Sequence, residues 1–242
     1  MTEIVLTQQF CGPPNSGNGG YVSGLMAAHI RGPARAMLRA PPALNTKLRL
    51  EKTDHDWRLW APDGTLVGDA RPADPETLPV PPSPPDLPEA VAAGRRFPGL
   101  DRPFHPICFT CGDMLNEGFG LRVFVGQLDG APEGFVAGPW ACDAAFGDRH
   151  GRARPEVVWA ALDCPGSVAW VVGGHPGALL GTMTCEILRA PAVGETCVVT
   201  AWPLHHHGRK KTSGTALWSA GGDLLARSHQ IWIGRPMVAE AA

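Results

Sequence analysis

The chain has 242 residues, of which 44% are apolar and 18% charged, with a net charge of −2 at pH 7. That composition supplies a sizeable core, and the balanced charge excludes a binder driven by nucleic-acid phosphates. No apolar run approaches the roughly 18 residues of a membrane-spanning helix, so no membrane partner is expected.

The first residues, MTEIVLTQQF, lack a basic region ahead of their apolar positions, so no signal peptide is expected. Seven cysteines, an odd number, then read as reduced thiols of a cytoplasmic protein. Along the chain, Asn15-Ser16-Gly17-Asn18-Gly19-Gly20 precedes an apolar helical segment over residues 21–30. β-Prone residues 47–50 follow, and Asp63-Gly64 marks a hairpin turn. Residues 72–88 are crowded with proline, which suits neither a helix interior nor a central strand and predicts a semi-rigid spacer. A short helix is expected over 89–96, with Pro88 at its start. A second apolar helix is predicted over 155–163, opened by Pro155 and ended or kinked at Pro165. Residues 197–202 are again β-prone, and Gly221-Gly222 marks another hairpin turn.

The two flanks of the proline-rich stretch repeat each other. Leu38-Arg39-Ala40-Pro41 recurs as Leu188-Arg189-Ala190-Pro191, and Leu59-Trp60 recurs as Leu217-Trp218. Two matched blocks in the same order indicate an internal duplication. Each half places one helix before an antiparallel meander, which is an α+β architecture. The boundaries expected are an N-terminal unit over 1–71, a linker with a short helix over 72–99, and a C-terminal unit over 100–242.

The sequence contains no nucleophile elbow, P-loop, zincin helix or dinucleotide fingerprint. Two segments can carry chemistry. Glycines at a helix start leave backbone N–H groups free to hold a carbonyl oxygen, which singles out Gly19 and Gly20. Asp163 closes an apolar helical run, and a carboxylate buried there is primed for base or nucleophile work. His105-x-x-Cys108-x-x-Cys111 has metal-like spacing but falls short of the four ligands of a structural zinc site, so no metal is expected. His29 reads as structural, and Trp60 and Trp218 as packing residues. His205, His206 and His207, with Arg209, Lys210 and Lys211, read first as a solvated hairpin tip; the three cations are also candidates for coenzyme A phosphates.

Taken together, these features resemble a tandem (double) hotdog protein of the acyl-CoA thioesterase type. Cys108-Phe109-x-Cys111-Gly112, with Asn116, Gly118, Gly120 and Leu121, resembles the entry segment of the PaaI-like branch. Trp159-Ala160-Ala161-Leu162-Asp163-Cys164-Pro165-Gly166 resembles that branch's central helix, and Gly17-Asn18-Gly19-Gly20-Tyr21 resembles its His-Gly-Gly turn with Asn18 replacing the histidine. The resemblance implies two fused hotdog units, a long helix on each, and one continuous antiparallel sheet with both helices on the same face. It also implies a thioester hydrolase acting on acyl-CoA or an acyl-carrier thioester without a cofactor. Asp163 would activate water or attack directly, Gly19 and Gly20 would polarise the carbonyl, and Asn15 or Asn18 would orient carbonyl or water.

At the family's spacing, Asn18 pairs with Ala27 rather than an acid, and Asp163 pairs back to Arg154 rather than a glycine turn. Each half therefore keeps one part of a site. One composite site per chain is expected, with the opposite location, Ala27 facing Arg154 and Glu156, inactive. A single chain suffices for it, with further self-association compatible. A hotdog hydratase or dehydratase is the alternative enzyme, disfavoured because no aspartate here has a histidine five residues on. A non-catalytic acyl-ligand module is the alternative outside catalysis.

Overall fold

The structure, a computed structural model, describes residues 2–234. The first half contributes β1 (Thr2–Val5), α1 (Gly19–Ala27), β2 (Ala34–Leu38), β3 (Lys47–Lys52), β4 (Trp57–Trp60) and β5 (Leu66–Pro72). After α2 (Leu87–Gly94) come β6 (Gly126–Gln127), β7 (Val136–Ala141) and α3 (Pro155–Val172). The last four strands are β8 (Leu179–Ile187), β9 (Thr196–His207), β10 (Lys210–Ser219) and β11 (Leu224–Ile233).

All eleven strands form one sheet in the order β1-β3-β4-β5-β2-β8-β11-β10-β9-β7-β6. The two halves meet where β2 pairs antiparallel with β8, Ala34 opposite Cys185 and Ala36 opposite Met183. Outward from that seam β2, β5, β4, β3 and β1 run in the same order as β8, β11, β10, β9 and β7, with β6 added at the far edge of the second half. α1 and α3 share one face of the sheet and pack on each other above the seam, joined in one core with Met26, Ala36, Val158, Leu162 and Met183.

The repeated sequence blocks make repeated bonds. Arg39 N–H donates to the Val67 carbonyl at 2.8 Å, and Arg189 N–H donates to the Leu225 carbonyl at 3.0 Å. The register shifts between Leu59 and Trp60 and again between Leu217 and Trp218. Both hairpins then turn on a left-handed glycine, Gly64 at φ 85° and Gly222 at φ 90°. The eight extra residues between the blocks lengthen β9 and β10 into a longer hairpin than β3 and β4.

Pro165 does not end its helix. α3 continues to Val172, although Pro165 has no N–H to give the carbonyl one turn back. The surrounding structure supports this stretch from outside. Gln230 Nε2 donates to the Leu162 carbonyl at 2.6 Å, Ser213 Oγ to the Gly166 carbonyl at 2.7 Å, and Thr110 Oγ1 to the Ala160 carbonyl at 2.8 Å. These donors come from strands and a loop remote in sequence.

The proline-rich stretch is more than a spacer. Its Pro75 carbonyl accepts from Arg227 Nη2 on β11, and α2 then lies on the sheet face opposite α3. Ala90 and Ala93 are fully buried there against Ala137, Val198, Trp202 and Trp218. This covering explains why β9 is apolar on both faces rather than alternating. Asp86 and Glu89 close a reciprocal capping box at the start of α2. Asp86→Ala is expected to cost about 1 kcal/mol, readable as a lower urea midpoint; an unchanged midpoint would mean that α2 adds nothing to global stability.

Candidate active site

Asn18 caps α1. Its Oδ1 accepts from Tyr21 N–H at 2.8 Å, and its Nδ2 donates to Thr110 Oγ1 at 3.1 Å and to Cys108 Sγ at 3.8 Å. The next glycines face α3 across an unusually short gap. A Cβ on Gly20 would lie 2.5 Å from Asp163 Cβ and 2.8 Å from the Trp159 carbonyl oxygen. One turn on, a Cβ on Gly24 would lie 2.5 Å from Glu156 Cα. Only residues without side chains let the helices approach so closely.

That approach brings the Gly20 N–H to Asp163 Oδ2 at 2.8 Å, a buried bond linking residues 143 positions apart. Asp163 is 4% exposed, and its second oxygen, Oδ1, is buried without a hydrogen-bond partner among the described residues. Burial pushes the Asp163 carboxyl up to about 7. The Gly20 N–H opposes that rise, the neighbouring Cys108 adds to it, and Asn18 opposes it. The Gly19 N–H, at the same helix start, has no acceptor among the described residues. Gly19 is half-buried between Leu38 and Leu180.

The structure therefore brings Asn18, Gly19, Gly20 and Asp163 together and leaves Asn15 outside. Asn15 sits exposed in a turn closed by the Gly12 N–H donating to the Ser16 carbonyl, and none of its side-chain atoms bonds to the helix start. Two roles also change. Gly20 N–H is taken by Asp163, so it cannot also polarise a carbonyl, and both ends of the Asn18 amide are engaged in capping and in holding Thr110. The basic tip separates as well. Arg209 and Lys210 are exposed, whereas Lys211 is 5% exposed and its Nζ donates to the Pro176 carbonyl at 2.6 Å. Lys210 and Lys211 open β10 and point to opposite faces, while Arg209 lies in the turn before it, so Lys211 is separated from the other two. His29 stacks on Trp57 at 4.2 Å.

The opposite junction carries an ion pair instead of a glycine turn and an unpaired acid. Arg154 precedes α3 as Asn18 precedes α1, its N–H donating to the Phe146 carbonyl as that of Asn18 donates to the Phe10 carbonyl. Arg154 there pairs with Glu156 at 3.4 Å, while Ala27 offers no polar group. Arg154→Ala is expected to lower the melting temperature by leaving Glu156 unpaired and to leave turnover unaltered; a loss of turnover at unchanged stability would place chemistry at this second junction.

Two features escaped the sequence reading. The first is Gly24, whose signal was its spacing of four from Gly20 on one helix face. The second is the segment around Cys108, which covers the helix start instead of merely preceding a strand. Phe109 N–H donates to the Cys11 carbonyl at 2.7 Å, and the Phe109 ring meets Phe10 and Phe146 edge-on at 5.0 and 5.2 Å. The Cys111 and Cys164 thiols, with the Cys111 and Thr110 backbone N–H groups, hold the Cys108 thiol well below its ordinary value. A surface cleft of about 420 Å³ lies elsewhere, lined by Arg122, Cys142, Asp143 and Gly194 among others; it includes none of the site residues, so its size is no argument for chemistry there.

Solved structures place this architecture. A protein from Novosphingobium aromaticivorans with a provisional thioesterase assignment matches over 96% of this chain and 94% of its own, at 15% identity and a TM-score of 0.60. A protein of unknown function with a hotdog fold from Alicyclobacillus acidocaldarius matches over 97% and 93%, at 16% identity and 0.59. The tesB protein of Mycobacterium avium subsp. paratuberculosis matches over 93% and 90%, at 12% identity and 0.58. No protein-family model matches the chain, and no curated protein matches it in sequence. The likeness spans both halves: the chain has a double hotdog fold. Among the described residues, no helix is long and apolar enough to cross a membrane.

Proposed function

We propose that the chain hydrolyses an acyl thioester at one site assembled from both halves. The observation that carries this reading is the Gly20–Asp163 bond, which fixes one oxygen of a buried carboxylate and leaves the other without a partner beside an unused helix-start N–H. Asp163 Oδ1 takes a proton from water as the water oxygen attacks the thioester carbonyl carbon. The Gly19 N–H holds the oxyanion that forms. Collapse of the tetrahedral intermediate breaks the carbon–sulfur bond, and the departing thiolate recovers the proton from Asp163, giving a carboxylic acid and a thiol. Gly20 acts by orienting the carboxylate, and Asn18 by fixing the helix start. The provisional thioesterase assignment of the Novosphingobium neighbour agrees with thioester chemistry. Acyl-CoA and acyl-carrier thioesters are both compatible substrates, with Arg209 and Lys210 the exposed cations available to phosphate.

Release of free thiol from a panel of short, long and aromatic acyl-CoAs tests the reading. Turnover of at least one, saturating with substrate, is the expected result; none across both CoA and acyl-carrier thioesters would refute it. A second reading, an acyl-ligand binding module without catalysis, is favoured by one observation: Asn18, which does not titrate, stands at the helix start and both ends of its amide are already used. Binding without thiol release would identify it.

A further inference from the structure

We infer that Cys108, Cys111 and Cys164 form a binding site for one thiophilic divalent metal ion of the zinc class, with three thiolate ligands and a fourth position open to an exchangeable donor. Their three Sγ atoms all lie within 4.8 Å of one another, although Cys164 comes from α3 and the other two from the covering segment. Zinc–thiolate bonds of about 2.3 Å, set at tetrahedral angles, require sulfur–sulfur edges of ~3.8 Å. The Cys108 Sγ to Cys164 Sγ distance is 3.7 Å.

The frame around the sulfurs is built tightly. Gly112 N–H donates to the Cys108 carbonyl at 2.7 Å, and a Cβ on Gly112 would lie within 2.6–2.7 Å of the Cys108 and Pro106 backbones. Only glycine closes this turn, which returns Cys111 to the side of Cys108. Asn18 Nδ2, at 3.8 Å from Cys108 Sγ, supplies an outer donor to that sulfur. Cys11 is not a member, since its thiol donates to the Ile107 carbonyl at 3.0 Å. His105, the residue whose spacing suggested a ligand, is replaced in that role by Cys164. Two ligands from the covering segment and one from α3 would clamp that segment onto the helix, independently of whether the adjacent carboxylate hydrolyses thioesters. Binding releases the thiol protons to solvent.

The test uses the full chain, reduced and stripped of metal by chelation under anaerobic conditions, with Co²⁺ as the probe. Titration should produce sulfur-to-cobalt charge-transfer absorption together with intense tetrahedral d–d bands, saturating at about one ion per chain and displaced by Zn²⁺. Cys164→Ser should abolish the charge-transfer band, whereas Cys185→Ser, in the core outside the cluster, should retain it. Should Cys164→Ser fail to fold, the ¹¹³Cd chemical shift of the wild-type chain still reports the number of sulfurs, with three expected. Absence of charge-transfer absorption in the wild type, its survival in folded Cys164→Ser, or a cadmium shift without sulfur ligation would overturn the assignment.

Discussion

Replacing Asp163 by Asn should reduce thioester turnover by about 10²–10⁴-fold, the span associated with loss of a positioned general base. The substitution is nearly isosteric, and the amide oxygen can still accept from Gly20 N–H, so the fold and the helix crossing should persist. What disappears is the oxygen able to take a proton from water. The expected kinetic pattern is a fall in kcat with KM little changed, because Asp163 acts on water and not on the acyl chain. Steady-state assays beside a thermal melt would separate chemistry from stability. Full turnover in a folded Asp163→Asn chain would remove this residue from the mechanism.

Gly20→Ala is expected to be strongly disruptive to both stability and turnover. Its Cβ would sit 2.5 Å from Asp163 Cβ and 2.8 Å from the Trp159 carbonyl oxygen, and the second of these is backbone that cannot swing aside. Overpacking of this kind costs about 1–3 kcal/mol, occasionally more. Any separation of the helices that relieves the clash also lengthens the Gly20–Asp163 bond, so turnover should fall with stability. Gly24→Ala meets Glu156 Cα at 2.5 Å and should destabilise by a similar amount through the same crossing. Urea denaturation of both variants checks this, and a wild-type midpoint for Gly20→Ala would mean that the crossing is looser than its geometry shows.

Much of this arrangement was legible before the fold was known. The Leu-Arg-Ala-Pro and Leu-Trp repeats were readable because each sits at a local feature, a strand end or a bulged hairpin, that short sequence specifies. The start of α3 was readable from Pro155, whose fixed φ suits a first-turn position, whereas the cap that Asn18 supplies to α1 was not. The meeting of Gly20 and Asp163 followed from combining the duplication with the missing half-motifs, which no local signal supplies.

What stayed hidden was set by distant partners. The continuation of α3 beyond Pro165 depends on Gln230 and Ser213, which lie more than a full strand away in the chain. The burial of Lys211 depends on the Pro176 carbonyl, and the place of Cys164 beside Cys108 depends on how the covering segment folds over the helix. Asn15 and Asn18 looked equivalent in a run of small polar residues. Only the turn between Gly12 and Ser16 separates the exposed one from the cap.

One measurement bears most directly on the claim that the two halves share a single site: the stoichiometry with which a non-hydrolysable thioether analogue of the best substrate binds, read by calorimetry on the full chain. The composite site predicts one ligand per chain, bound by wild type and by Asp163→Asn alike, since the carboxylate serves the water. Two equivalent ligands per chain would show that the junction holding Ala27, Arg154 and Glu156 is also a working site, and would contradict the account.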